Sequence, residues 1–160
     1  MIVYVDGFNL YHGMKSQFGR ATLWLDLVAL YPGVVYIVNG RYQSRKVRCT
    51  QCGHEYTRYE EKETDVNIAT ALVSDAALNL MDTAIIMSAD SDLAPAVRAA
   101  KSIRSTLFVT AAFPPRRSSA ELKNLMPASF RIGRSKIVQS QLPDQFEVDG
   151  QAHERPEYWR

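Results

Sequence analysis

Two apolar runs, Met1-Ile2-Val3-Tyr4-Val5 and Ala84-Ile85-Ile86-Met87, proceed without a polar interruption and lead into aspartates. A strand with one wet face alternates apolar and polar residues, so an unbroken run suits a strand covered on both faces, as in parallel sheets packed between helices. The stretch between the runs supplies a helix to do the covering. From Glu63 to Leu80 an apolar stripe passes through Ile68, Ala69, Leu72, Val73, Ala76 and Leu80 at helical spacing. The chain reads as strand 1–6, helix 24–30, strand 34–38, helix 64–80, strand 84–89, helix 93–102, strand 105–111 and a weaker strand near 131–138. This alternation predicts an α/β fold, a three-layer α/β/α domain with a mainly parallel central sheet. At 160 residues and 46% hydrophobic, the chain holds enough material for one core and too little for two.

Ligands of such sheets bind beyond the carboxyl ends of the strands. Both runs deliver carboxylates there, Asp6 after the first and Asp90 and Asp92 after the second. Gly7 permits a sharp exit from the strand, Asn9 offers an amide to hold a carboxylate or a water, and Asp92 is placed to cap the next helix. Asp65 lies four residues before Ala69 and seven before Leu72, in phase with the apolar stripe, so it faces the sheet while Asn67 faces away. A carboxylate facing a core must be protonated, paired with a cation or bound to a metal. Crowded carboxylates also repel one another, and Mg²⁺ or Mn²⁺, hard ions that take carboxylate and water oxygens, would relieve that repulsion. Taken singly, Asp6 serves equally as a turn residue, Asp92 as a cap and Asp65 as a first-turn partner of the helix dipole. Taken together, the four predict a divalent-metal site.

The net charge of +2 hides a division along the chain. Residues 63–97 carry six acids and no Lys or Arg, while residues 98–136 carry nine Lys or Arg against Glu121 alone. In the basic block, Phe113-Pro-Pro-Arg116-Arg117-Ser118-Ser119 follows a strand end, so Arg116, Arg117 and Ser118 are candidate phosphate contacts; the alternative is a solvated basic loop. Lys62, beside the acidic helix, is another candidate, with an ordinary exposed lysine as its alternative. The pair Cys49-Thr-Gln-Cys52 has the spacing of half a zinc site, to be completed by a second subunit, or else is a reduced dithiol in a loop or the vestige of a site whose other ligands are lost. Around it, Arg41, Arg45, Lys46, Arg48 and Arg58 interleave with Tyr42, Tyr56 and Tyr59 in a loop over 41–60 suited to gripping RNA. No apolar run approaches the ~20 residues that span a bilayer, and the chain opens on a strand rather than a signal peptide, so a cytoplasmic protein without a membrane partner is expected.

The segments Ile2-Val-Tyr-Val-Asp6-Gly-Phe-Asn9-Leu-Tyr, Glu61-Lys-Glu-Thr-Asp65-Val-Asn-Ile-Ala and Ser88-Ala-Asp90-Ser-Asp92-Leu, in this order, resemble the NYN domain, a branch of the PIN-like nucleases with a Rossmann-like fold. The bacterial LabA-like subgroup, also grouped as DUF88, is similar further along, at Trp24-Leu-Asp-Leu, the Cys49-Cys52 insertion, Ser140-Gln-Leu-Pro-Asp144 and Arg155-Pro-Glu-Tyr-Trp159. The resemblance implies a metal-dependent ribonuclease in which Asp6, Asp65, Asp90 and Asp92 hold Mg²⁺ or Mn²⁺, Asn9 supports them and Ser88 lies among the substrate contacts. It also implies a domain over 1–140 followed by a C-terminal tail over 141–160. Members of the subgroup place a further strand and helix before the strand that Val34–Val38 matches, whereas here Leu30-Tyr-Pro-Gly-Val34 joins the two directly. The chain therefore lacks one β-α unit, which alters the groove, exposes a sheet edge or leaves a gap for a second subunit in a homodimer. Two other readings remain open: a non-catalytic RNA-binding or scaffolding module, and a small phosphate-ester hydrolase. No Ser–His or Cys–His arrangement is evident, and Asp6-Gly7-Phe8 lacks the second aspartate of a phospho-aspartate phosphatase.

Overall fold

A computed structural model describes residues 1–160. In chain order the elements are β1 (Ile2–Val5), α1 (Gly7–Phe18), α2 (Leu27–Leu30), β2 (Arg41–Arg48), β3 (Glu55–Lys62), α3 (Thr64–Ala77), β4 (Thr83–Met87), α4 (Ala94–Ile103), β5 (Phe108–Phe113), α5 (Ala120–Leu125), β6 (Phe130–Arg131), α6 (Arg134–Gln139), β7 (Gln145–Val148) and β8 (Gln151–Glu154). The central sheet has four strands in the order β1-β4-β5-β6, and every pairing is parallel. Val5 stands opposite Met87, and the ladder continues one residue further through Asp6 N–H donating to the Met87 carbonyl at 3.1 Å. That register brings the ends of both apolar runs to the same rim.

Alternation along the strands splits the core into two layers, one on each face. On one face Tyr4, Ile86, Val109 and Ala111 pack with Ile68, Leu72 and Ala76 of α3 and Val97 and Ala100 of α4. On the other, Ile85, Met87 and Ala112 pack with Leu10 and Met14 of α1, Leu30 of α2 and Ile137 of α6. The α/β/α layering is the one that unbroken apolar strands demand.

Several expected elements fold otherwise. Helix α1 has no clear signature in the sequence, because Gly7 and Gly13 interrupt its pattern; Asp6 caps it by accepting from Asn9 N–H at 2.9 Å. Gly7 begins this helix, and its φ is not positive, so it makes no special exit. Val34–Val38 forms no strand and stays exposed, with Tyr36 and Ile37 each more than 80% accessible. Strand propensity describes fit to a pleated, half-buried surface, and no strand lies beside this run. The expected loop over 41–60 is instead mostly a regular antiparallel hairpin, β2 against β3 with Arg41 opposite Lys62. Helix α3 stops at Ala77, because Asn79 adopts a left-handed φ of 58°, leaving Leu80 exposed outside the stripe. The weak strand near 131–138 shrinks to β6, and its remainder becomes α6, whose Ile137 is fully buried.

The segment after Ser140 packs back on the body. Trp24 donates from Nε1 to the Pro143 carbonyl at 2.8 Å, and its ring lies 5.6 Å from Phe146 and 5.9 Å from Trp159. No helix is long and apolar enough to cross a membrane.

Tyr4 gives the core a dependence on alkaline pH. Its buried hydroxyl donates to Asp75 at 2.7 Å, and burial first, then Asp75, pushes its pKa far above the ordinary value of 10.0. Burial also raises Tyr31. An unfolded chain ionises these phenols above pH 10 while the fold keeps them protonated, so stability is complete below pH 10 and declines above it. For Tyr4 the slope is roughly 1.4 kcal/mol per pH unit. Thermal unfolding scanned across pH 8–11 is expected to show this fall, and to show a shallower one in Tyr4→Phe.

Candidate active site

Beyond the carboxyl ends of β1 and β4 lies an open cleft of about 590 Å³. Asp6, Asp65 and Asp90 all line it, each from a different element: the end of β1, the first turn of α3 and the turn after β4. Asp6 is buried and firmly held. Its Oδ1 accepts from Asn9 N–H, and its Oδ2 accepts from Ser88 Oγ at 2.8 Å. Ser88 Oγ in turn accepts from Asp90 N–H at 3.0 Å, so one hydroxyl links the two strand-end aspartates. Asn9 Oδ1 accepts from Ala89 N–H at 3.3 Å and ties α1 to the same turn. Each Asp6 oxygen uses one lone pair in these bonds and keeps another for the cleft.

Ser88, expected among the substrate contacts, is completely buried; it holds the Asp6 carboxylate and the Asp90 backbone in place and does not line the cleft. Asp90, rather than Asp92, caps the short 3-10 turn Ser91–Leu93, accepting from Asp92 N–H at 3.0 Å. Asp92 is exposed and does not line the cleft, so three of the four expected acids share it. Arg117 lines the cleft, whereas Arg116, at a left-handed φ of 56°, turns to the Ser16 carbonyl at 3.5 Å. Ser118 is exposed outside the lining, and its neighbour Ser119 caps α5 through Leu122 N–H. Lys62 lines the cleft and pairs with Glu60 at 3.4 Å.

The cleft also contains residues that pattern reading missed. Glu61 accepts from Thr64 N–H and Thr64 Oγ1, capping α3 beside Asp65. Glu63 pairs with Arg41. Phe8 and His12 extend from α1, and Phe8 lies 5.7 Å from the exposed ring of Tyr42 at the foot of the hairpin. The signal that places Phe8 and His12 on one face is their i, i+4 spacing, which is visible only once α1 is recognised as a helix.

Five carboxylates face three cations in this lining: Asp6, Glu61, Glu63, Asp65 and Asp90 against Arg41, Lys62 and Arg117. The surplus of negative charge favours a bound cation, and the donors are hard oxygens of the kind that Mg²⁺ and Mn²⁺ take. No three Asp, Glu, His or Cys side chains stand close enough together to form a finished cage. The donor set suits these metals chemically, and an ion would have to pull the carboxylates inward.

Gly13 lets α1 approach the loop that carries Arg117. A Cβ there would sit 2.6 Å from the Pro115 carbonyl oxygen and 3.0 Å from Pro114 Cβ, in the loop that carries Arg117. Gly13→Ala is therefore expected to lower stability by about 1–3 kcal/mol by displacing the loop that carries Arg117. Thermal unfolding would check this; an unchanged midpoint would contradict the packing described.

The chain matches the NYN domain family over residues 1–131. The motifs Ser140–Asp144 and Arg155–Trp159 lie beyond the matched span. Among solved structures, a Vibrio parahaemolyticus protein of unknown function is similar, with a TM-score of 0.56 and 16% identity over 88% of this chain and 94% of that one. That likeness concerns the fold alone. No curated protein matches the chain.

Proposed function

Because this chain belongs to the NYN domain family, a nuclease-like branch of the PIN-like proteins, we propose that it hydrolyses RNA phosphodiester bonds with the help of Mg²⁺ or Mn²⁺. The observation that carries this reading is the meeting of Asp6, Asp65 and Asp90, from three separate elements, in one cleft with a basic and aromatic wall. These three aspartates would hold the metal, which supplies an activated water and charge stabilisation at the phosphate when bound. Asp6 is preorganised for that role by Ser88 and Asn9, so its orientation costs little at the moment of reaction. Arg117 and Lys62 meet phosphate oxygens across the cleft, with Arg117 able to make a forked contact. Phe8 and Tyr42 offer ring faces on which an unpaired base stacks.

The hairpin extends the track for the strand. Strand alternation puts Arg41 and Arg45 of β2 and Lys62 and Arg58 of β3 on one face, with Arg45 directly opposite Arg58. Like charges placed side by side destabilise a bare hairpin and favour an anion between them. At ~3.4 Å per residue that pair lies about 13 Å from Arg41, two or three nucleotides along an extended strand. Single-stranded RNA entering over the hairpin and reaching the acids fits this layout, as does binding mostly through phosphates. A non-catalytic RNA-binding role is the second reading, favoured by the spacing of the carboxylates, which is too wide for a closed cage.

Labelled single-stranded RNA, duplex RNA, DNA and a small aryl phosphate, each incubated with Mn²⁺, Mg²⁺ or EDTA, separate the alternatives. Cleavage of single-stranded RNA that requires metal is the expected outcome. Tight RNA binding without turnover in any metal would favour the binding module, and cleavage of the aryl phosphate alone a phosphate-ester hydrolase.

A further inference from the structure

We infer that the tip of the β2–β3 hairpin is half of a tetrahedral zinc centre, completed by the same tip of a second copy of this chain. The tip is Cys49-Thr-Gln-Cys52-Gly53-His54, and it folds as a tight knuckle. Gly53 N–H donates to the Cys49 carbonyl at 2.9 Å, and Cys49 N–H donates to the His54 carbonyl at 2.8 Å. Gly53 takes a left-handed φ of 71°, which turns the chain immediately after the second cysteine. The Cys49 and Cys52 side chains lie beside each other in this knuckle. Both thiols are free, one half-buried and one exposed. Two free sulfurs side by side on a tight knuckle make the chelating half of a structural zinc site.

The other half is not in the same chain. A closed structural site needs four ligands, the sequence has two cysteines, and no third Cys, His, Asp or Glu joins the pair. A second copy supplies the same two thiolates across a two-fold axis. The hairpin's placement permits this, since β2 and β3 pair only with each other and their residues are largely exposed. A lone two-stranded hairpin is marginal in water, so a metal clamp at its tip also accounts for how so regular a hairpin holds together.

Charge points the same way. Four thiolates around Zn²⁺ leave a doubly negative centre, and cations lie close to it. Arg48 donates from Nε to the Gly53 carbonyl at 3.3 Å, and Arg45, Lys46 and Arg58 follow along the same hairpin. Soft sulfur ligands select zinc, while the oxygen-lined cleft at the hairpin's foot selects hard ions, so the two sites do not compete for one metal. Pairing the tips would join two clefts in one particle. This inference stands whether or not the cleft hydrolyses RNA.

The test uses the whole chain, reduced with a phosphine, freed of metal and then titrated with ZnCl₂, with metal content and light scattering measured together. Zinc is expected to saturate at about one ion per two chains and to convert monomer to dimer, with a strong chelator reversing both. Co²⁺ in place of Zn²⁺ should give the intense charge-transfer band of a four-thiolate site, a readout that needs no variant. Cys49→Ser/Cys52→Ser should bind no zinc and stay monomeric, with unfolding of the α/β body unchanged. Saturation at one zinc per chain in a monomer would overturn the inference. So would an absence of zinc binding, or a dimer indifferent to chelator and to the double substitution.

Discussion

Asp6→Asn is expected to lower turnover of single-stranded RNA at least ~10²-fold while leaving the protein folded. The substitution removes one negative charge from the cleft and keeps the side chain's shape. The retained carbonyl oxygen can accept from Asn9 N–H, whereas the buried Ser88 Oγ–H, which donates to the carboxylate, loses its acceptor when it turns to meet the new amide. The cost in stability is therefore about 1–3 kcal/mol. Losing a ligand to an essential metal removes several kcal/mol of transition-state stabilisation, and each 1.36 kcal/mol is a factor of ten in rate. The kcat of wild type and variant in Mn²⁺, measured alongside their thermal unfolding, separates the two effects. Turnover within tenfold of wild type in a folded variant would remove Asp6 from the chemistry.

Leu72→Ala acts through the core. Leu72 has no exposed surface and sits in the layer formed by α3, α4 and the sheet, with Ile86 and Val97. Truncation removes its burial energy and leaves a cavity, a loss of about 2–5 kcal/mol. For a domain near this length each kcal/mol shifts Tm by about 2–4 °C, so a fall of roughly 5–20 °C is expected. Asp65 lies seven residues earlier on the same helix, two turns away, so loosening α3 should also reduce turnover below the melting range. Differential scanning calorimetry and a rate measured well below Tm check both parts. A variant that melts like wild type would contradict the packing of α3.

How far these features were legible depends on how local their causes are. The strands β1 and β4, and the aspartates at their ends, announced themselves because both faces of a parallel strand are covered and the sequence carries that as an unbroken apolar run. The phase of Asp65 followed from the stripe through Ile68 and Leu72. By contrast, α1 stayed hidden because its two glycines mask a buried face made of little more than Leu10 and Met14. Val34–Val38 carried a strong strand signal, yet strand formation needs a neighbour, and a neighbour is a property of the whole chain. The hairpin was obscured for a similar reason: it is exposed on both faces, so no alternation of apolar and polar residues marks it. Within the site, the places of Ser88 and Asp92 differ from the expectation because which hydroxyl is buried and which acid caps a turn depend on the backbone path after β4. Phe8, His12 and Glu61 join the cleft through elements whose meeting no short motif records.

The central claim is that carboxylates brought together by β1, α3 and β4 hold a divalent ion. A crystal grown with Mn²⁺, examined for anomalous scattering, tests it most directly. The account predicts a peak among Asp6, Asp65 and Asp90, with these side chains pulled toward it and no peak at Asp92. A cleft without manganese under saturating Mn²⁺, or manganese bound elsewhere on the molecule, would contradict it.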